Sequence, residues 1–144
     1  MGRSQVKGER PPTSTLSGKS PNRVLVFYFG APTPSSNEWH KKHWSVYSKI
    51  KKAWVQRLGL VVRPTMYGFS RAEIVVTRIA CSVLDTDNAV AGLKPIIDSL
   101  VALGVFPNDT PHYLPQAPQV FQSKAVSRNE EGCAITIYER DIQV

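Results

Sequence analysis

Glu73-Ile-Val-Val-Thr-Arg-Ile-Ala-Cys-Ser-Val83 runs straight into Leu84-Asp85-Thr86-Asp87-Asn88, and an amphipathic segment follows from Ala89 to Leu103. The first run is rich in β-branched residues and predicts a strand. In the third, Val90, Leu93, Ile97, Leu100, Val101 and Leu103 recur at helical spacing, and Gly104 ends the pattern. Two carboxylates flanking one Thr therefore sit where a strand hands over to a helix. Successive strand side chains alternate faces, so Asp85 and Asp87 share one cleft if strand geometry persists through them. Asp87 or Asn88 is also placed to cap the helix. Pro95 leaves two options. Either the helix kinks there, or a separate turn spans Asn88 to Leu93 and the main helix starts at Pro95.

Working outward, Arg23-Val-Leu-Val-Phe-Tyr-Phe29 predicts a strand buried on both faces. Gly30 to Ser36, with Pro32 and Pro34, predicts a loop, and Ser36 or Asn37 a cap for a helix starting near Glu38. Trp39, His43, Val46 or Tyr47, Ile50, Trp54 and Leu58 then mark one helical face up to Gly59. Residues 59–72 read as a loop. Val105 to Thr110 is a tight connection that presents Asp109. A short strand is expected near 119–125. Glu130-Glu131-Gly132 reads as a hairpin turn before a final strand from Cys133 to Glu139. The expected architecture is α+β, a single mixed β-sheet covered by two helices in the order β-α-β-α-β-β.

At 144 residues the chain is one domain with a tail. Residues 1–22 have little to bury and are expected to form a disordered basic tail, leaving 23–144 as the domain. The net charge of +7 favours an acidic partner, nucleic acid first. Arg3, Lys7, Arg10, Lys19 and Arg23 against Glu9 place +4 of it in the first 23 residues. The rest of the excess is concentrated at 39–58, where Lys41, Lys42, Lys49, Lys51, Lys52 and Arg57 face no acid nearer than Glu38. That segment is either a solvated helix face or a phosphate-contacting one. Arg78 interrupts an apolar strand face, either snorkelling at a sheet edge or pointing into the site. His40 and His43 are three apart with no third ligand nearby in sequence, so a packing or polar-surface role is expected. The two cysteines, Cys81 and Cys133, suit buried thiols better than a disulfide framework. No run spans a membrane, and no apolar signal region opens the chain, so a cytoplasmic protein with no membrane partner is expected.

Acids in a basic chain suggest a divalent-metal site working on a polyanion. Hard cations prefer carboxylate oxygens, and magnesium commonly uses one or two carboxylates plus waters and substrate phosphates. Turn and cap chemistry is the competing reading of Asp-x-Asp-Asn after a strand.

The runs Leu84-Asp85-Thr86-Asp87-Asn88, Leu93-Lys94-Pro95-Ile96-Ile97-Asp98-Ser99-Leu100 and Gly104-Val105-Phe106-Pro107-Asn108-Asp109 resemble the signature of the RusA family of Holliday-junction resolvases, found in phages and prophages. Pro34-Ser35-Ser36-Asn37, His43-Trp44 and Lys52-Ala53-Trp54 resemble its Pro-Ser-Asn loop and basic helix. Gly132 to Tyr138 resembles its closing strand. The likeness covers roughly residues 24–139. It implies a homodimeric, magnesium-dependent endonuclease that nicks opposed strands of a four-way DNA junction. In that reading Asp85, Asp87 and Asp109 bind Mg2+ and Lys94 is the essential lysine. Lys41, Lys42, Lys49, Lys51, Lys52 and Arg78 are the expected DNA contacts. Two departures stand out. Some members place the lysine four residues after the second Asp, whereas here it is seven, about one helical turn further along. Many members also have an Asp-Asp pair where this chain has Asn108-Asp109. Asp98 matches a common helix acid, for which a surface or capping salt bridge is expected. The rival readings are a nuclease of the same fold acting on forks or flaps, and a non-catalytic DNA-binding module.

Overall fold

The computed structural model describes residues 23–140, so the expected tail lies outside the described residues. The elements are β1 (Val24–Phe29), α1 (Trp44–Gly59), β2 (Ala72–Ala80), α2 (Thr86–Ala91), α3 (Lys94–Ala102), β3 (Gln119–Lys124) and β4 (Gly132–Glu139). The four strands form one mixed sheet in the order β1-β4-β2-β3. β4 runs antiparallel to both β1 and β2, whereas β3 is parallel to β2. A parallel pair needs a crossover, and α2 and α3 supply it.

Register explains the core. Ile74, Val76 and Arg78 of β2 lie opposite Ile137, Ile135 and Cys133 of β4, which face Leu25, Phe27 and Phe29 of β1. These side chains share one face of the sheet. Against it pack Trp54 and Leu58 of α1, Ile96 and Leu100 of α3, and Leu93 just before it. Trp54 meets Phe29 edge-on, with ring centroids 5.6 Å apart. Burial lifts the Cys133 thiol pKa to about 12.

Several expectations are corrected here. β1 is an edge strand buried on one face only. Val26 and Tyr28 point to the helix-free side, and Tyr28 is 77% exposed. The first helix does not start near Glu38. Ser35, not Ser36 or Asn37, caps a short 3-10 turn at Ser36–Glu38, and α1 begins at Trp44 with His43 as its cap. The strand expected over 73–83 ends at Ala80. Glu130-Glu131-Gly132 is not a hairpin turn, because β2 lies between β3 and β4. β2 is therefore interior, and Arg78 is not at a sheet edge.

Of the two options at Pro95, the chain takes the separated one. α2 ends at Ala91, Gly92 and Leu93 form a turn, and α3 starts at Lys94 with Pro95 in its first turn, where a missing N–H costs nothing. α3 stops in a Schellman arrangement. Val105 N–H donates to Leu100 O and Gly104 N–H to Val101 O, both at 3.0 Å, with Gly104 at φ +89°. Val105 and Phe106 then turn into the core, and Asn108 and Asp109 return to solvent.

The two ends of the described chain are fastened together. Arg23 forks onto Glu139, with Nε and Nη2 each 2.8 Å from a carboxylate oxygen. The hydrogen bond from Arg23 holds the Glu139 carboxyl below the ordinary glutamate range despite partial burial, helped by the Ser70 N–H. Because the folded-state pKa lies below the unfolded one, the pair stabilises the fold above about pH 4.5. That stabilisation is lost as the pH falls through the folded value. Urea midpoints of the wild type should therefore drop more steeply below pH 4.5 than those of Glu139→Gln, and parallel acid limbs would contradict this.

Candidate functional site

The acids sit at the start of α2, and the loop leading to it is held from three sides. Gln122 of β3 brackets Leu84, accepting from its N–H at 2.9 Å and donating to its carbonyl at 2.8 Å. Glu131 accepts from the Cys81 N–H at 2.8 Å, and Arg78 Nη1 donates to Ser82 O at 2.9 Å. The chain leaves strand geometry before Asp85. Strand alternation is therefore not what relates Asp85 to Asp87. Asp85 is the N-cap of α2 and accepts from the Asn88 N–H at 3.3 Å, while Asp87 lies in the first turn. Both carboxylates are exposed, and the positive end of the helix favours negative charge there.

The Pro-rich loop is fixed to the same helix. Ser36 Oγ donates to Asn88 Oδ1 at 2.6 Å. The Pro34 carbonyl lies so close to Gly92 that a Cβ there would come within 1.9 Å of its oxygen. Only glycine permits that approach. Arg78 Nε donates to Thr33 O at 2.8 Å from beneath.

Lys94 opens α3 and is the most solvent-facing member of a three-residue cluster. Its Nζ lies 3.2 Å from Asp98 one turn on, and 5.6 Å from the centroid of the Tyr47 ring. The Tyr47 hydroxyl donates a short hydrogen bond to the same Asp98 oxygen, tying α1 to α3. Burial first, then Asp98, pushes the Tyr47 pKa far up, so the phenol stays protonated. The charge of Asp109 adds a little to that field. The helix break also separates Lys94 from the acids of α2. α2 ends at Ala91 and α3 begins at Lys94, so Asp87 and Lys94 do not lie on one continuous helix.

Asn108, standing where an acid would be expected from the resemblance, has a local job. Its Oδ1 accepts from Thr110 N at 3.0 Å and Thr110 Oγ1 at 2.6 Å, closing the turn that displays Asp109. Asp87 and Asp109 accept no hydrogen bond and pair with no cation among the described residues. As hard, unpartnered oxygen donors they suit a magnesium-class cation, with Asp85 retaining one free oxygen. Among the described residues, however, no three His, Cys, Asp or Glu side chains are gathered into a ready ligand group.

Of the expected DNA contacts, Lys49 and Lys52 are exposed on α1, Lys51 is half-buried, and Lys41 and Lys42 project from the turn before the helix. Arg78 is 7% exposed and committed to two backbone carbonyls, so it acts on the loops around the site. Sequence reasoning overlooked Tyr47, which it assigned to packing, and the tie from Asn88 to Ser36. The salt bridge expected for Asp98 is present, and its partner is Lys94 one turn before it.

Two substitutions test this framework. Gly92→Ala should cost roughly 1–3 kcal/mol by forcing Pro34 away, read as a lowered urea midpoint. Tyr47→Phe should cost about 1.5–3 kcal/mol, the usual range for a bond to a charged acceptor. An unchanged midpoint in either variant would remove that contact from the account.

No protein-family model and no curated protein matches this chain.

Proposed function

We propose that the protein is a magnesium-dependent endonuclease that resolves four-way DNA junctions by paired nicking as a homodimer. The observation that carries this reading is the exposure of Asp87 and Asp109 without partners in a chain of net charge +7. Carboxylates left unpaired amid such an excess of cations favour a ligand role over a structural one. The resemblance of the Asp85-Thr86-Asp87-Asn88, Lys94 and Asp109 runs to RusA resolvases supports the same assignment. A divalent cation held by these acids supplies Lewis-acid polarisation of a phosphoryl oxygen and a more acidic water. Magnesium keeps several waters and borrows oxygens from substrate phosphate, so a complete protein cage is not needed.

The chain's own residues do the rest. Asp98 and Tyr47 hold Lys94 forward, where its ammonium meets the charge that builds on phosphate. Lys49, Lys51 and Lys52 bind the backbone on either side, an attraction that weakens steeply with salt. Two copies related by a two-fold axis suit a junction with two equivalent strands. The same acids and lysines serve forks or flaps equally well, so the branch preference rests on the resemblance alone.

The absence of a gathered ligand group among the described residues favours one other reading, a DNA-binding module whose acids are caps and turn formers. A labelled four-way junction incubated with magnesium, calcium or chelator separates the readings. Symmetric nicks in magnesium alone are expected. Asp87→Asn should lower nicking on the order of a hundredfold or more and leave junction binding intact. Binding without nicking under every condition would favour the module.

A further inference from the structure

The chain has three tryptophans, and two are accounted for by packing. Trp54 is 2% exposed in the core, and Trp39 meets the Tyr47 ring edge-on at 5.2 Å. Trp44 is 73% exposed at the first turn of α1. A large aromatic left in water forfeits the stabilisation its burial would bring. A held imidazole lies beside its ring. His43 Nδ1 is fixed by Ser45, accepting from its N–H at 3.2 Å and lying 2.8 Å from its hydroxyl. The imidazole so held lies 5.3 Å from the Trp44 ring at a tilt of 34°.

The turn before it carries the charge. His40, Lys41 and Lys42 are all exposed. Lys41 adopts φ +60°, the only positive value outside glycine among the described residues. A lysine there costs conformational energy that an Asn or Gly would not. No acid occurs from Trp39 to Leu58, and the preceding Glu38 is occupied, its Oε2 accepting from Ser35 N–H at 2.9 Å. An acidic polymer is thus attracted, and the indole offers that polymer a flat π face. Single-stranded nucleic acid satisfies both demands, because phosphates meet the lysines and every base can stack.

We propose that Trp44, Lys41 and Lys42 form a docking site for an unpaired stretch of nucleic acid, with one base stacked on the indole and its flanking phosphates on the lysines. The site does not depend on the acids of α2, and its test reads binding, not cleavage.

The full chain is titrated with oligo-dT of about 12 nucleotides, following intrinsic tryptophan emission, and separately with a fluorescent copy of the oligonucleotide, following anisotropy. Wild-type emission should be quenched. Trp44→Phe should lose most of the quenching yet bind within a few fold. Trp44→Ala should bind on the order of tenfold more weakly, the usual loss for one stacked base. Blunt duplex of equal length should not distinguish Trp44→Ala from wild type. Lys41→Gln with Lys42→Gln should flatten the salt dependence by about 1.4 units of log–log slope. Unchanged far-UV circular dichroism and melting temperature of Trp44→Ala establish that the exposed position is not structural. Equal oligo-dT affinity of Trp44→Ala and wild type would overturn the proposal. So would an equal loss on duplex, or a blue-shifted emission on anionic phosphatidylserine vesicles at concentrations where oligo-dT has no effect.

Discussion

Arg78 is a guanidinium buried under the sheet face with no carboxylate at ion-pair distance among the described residues. Such burial is costly unless the donors are satisfied. Here two backbone carbonyls engage Nε and Nη1, Thr33 O from the Pro-rich loop and Ser82 O from the turn leaving β2. Desolvation pulls the Arg78 pKa down, while the charges of Glu131 and Glu38 oppose it. The two loops that flank the acids are therefore gripped by one side chain on an interior strand. The close contact of Gly92 with Pro34 and the Ser36–Asn88 bond then repeat the connection one layer higher. With the loops fixed at these points, Asp85 and Asp87 have little freedom to move relative to the sheet.

How far the sequence foretold this depends on the range of the interactions. Local periodicity located β2, β4 and the apolar face of α1, because burial on one side leaves a period of two or of about 3.6 residues in the chain. The same signal overstated β1. Its side chains are apolar on both faces, yet only Leu25 and Phe27 of the strand are buried, and whether a strand lies at an edge depends on pairings distant in sequence. The insertion of β4 between β1 and β2 had no local signature either, which is why Glu130-Glu131-Gly132 looked like a hairpin. At the site, residue types and spacings identified candidate acids and Lys94, and a salt bridge for Asp98 without its partner. The tie from Tyr47 to Asp98 spans 51 residues and left no pattern to read. The failure of Asp85, Asp87 and Asp109 to gather into one ready ligand group among the described residues is likewise a matter of tertiary placement.

The surface divides by chemistry as well as by shape. One face of the sheet is covered by α1 and α3. The other carries Val26 and Tyr28 from β1 and Phe121 from β3, all substantially exposed. Phe121 lies beside Thr77, and Tyr28 beside Ala134, so the row across all four strands is uncharged. Positive charge is instead carried by α1 and the turn before it, on the helix-covered side. Any field attracting negative charge is therefore centred on α1, the element that packs against α3, where Lys94 sits.

The remaining tension is that three carboxylates sit near this positive surface without pairing to it. Surface salt bridges form cheaply when flexible lysines are within reach, and they contribute little once formed. The one lysine that does find a carboxylate takes Asp98, and the Tyr47 hydroxyl shares the oxygen it uses. Asp98 thus draws the Lys94 ammonium along α3 toward its own position one turn on. Had Lys94 paired with Asp87 or Asp109 instead, both the acid and the lysine would be spent on each other. The Tyr47 phenol makes the difference. Burial and Asp98 push its pKa up, which favours the protonated phenol that donates to Asp98. Asp98 is thereby fixed as the acceptor to which Lys94 returns, and the other carboxylates are left open to a cation from solution.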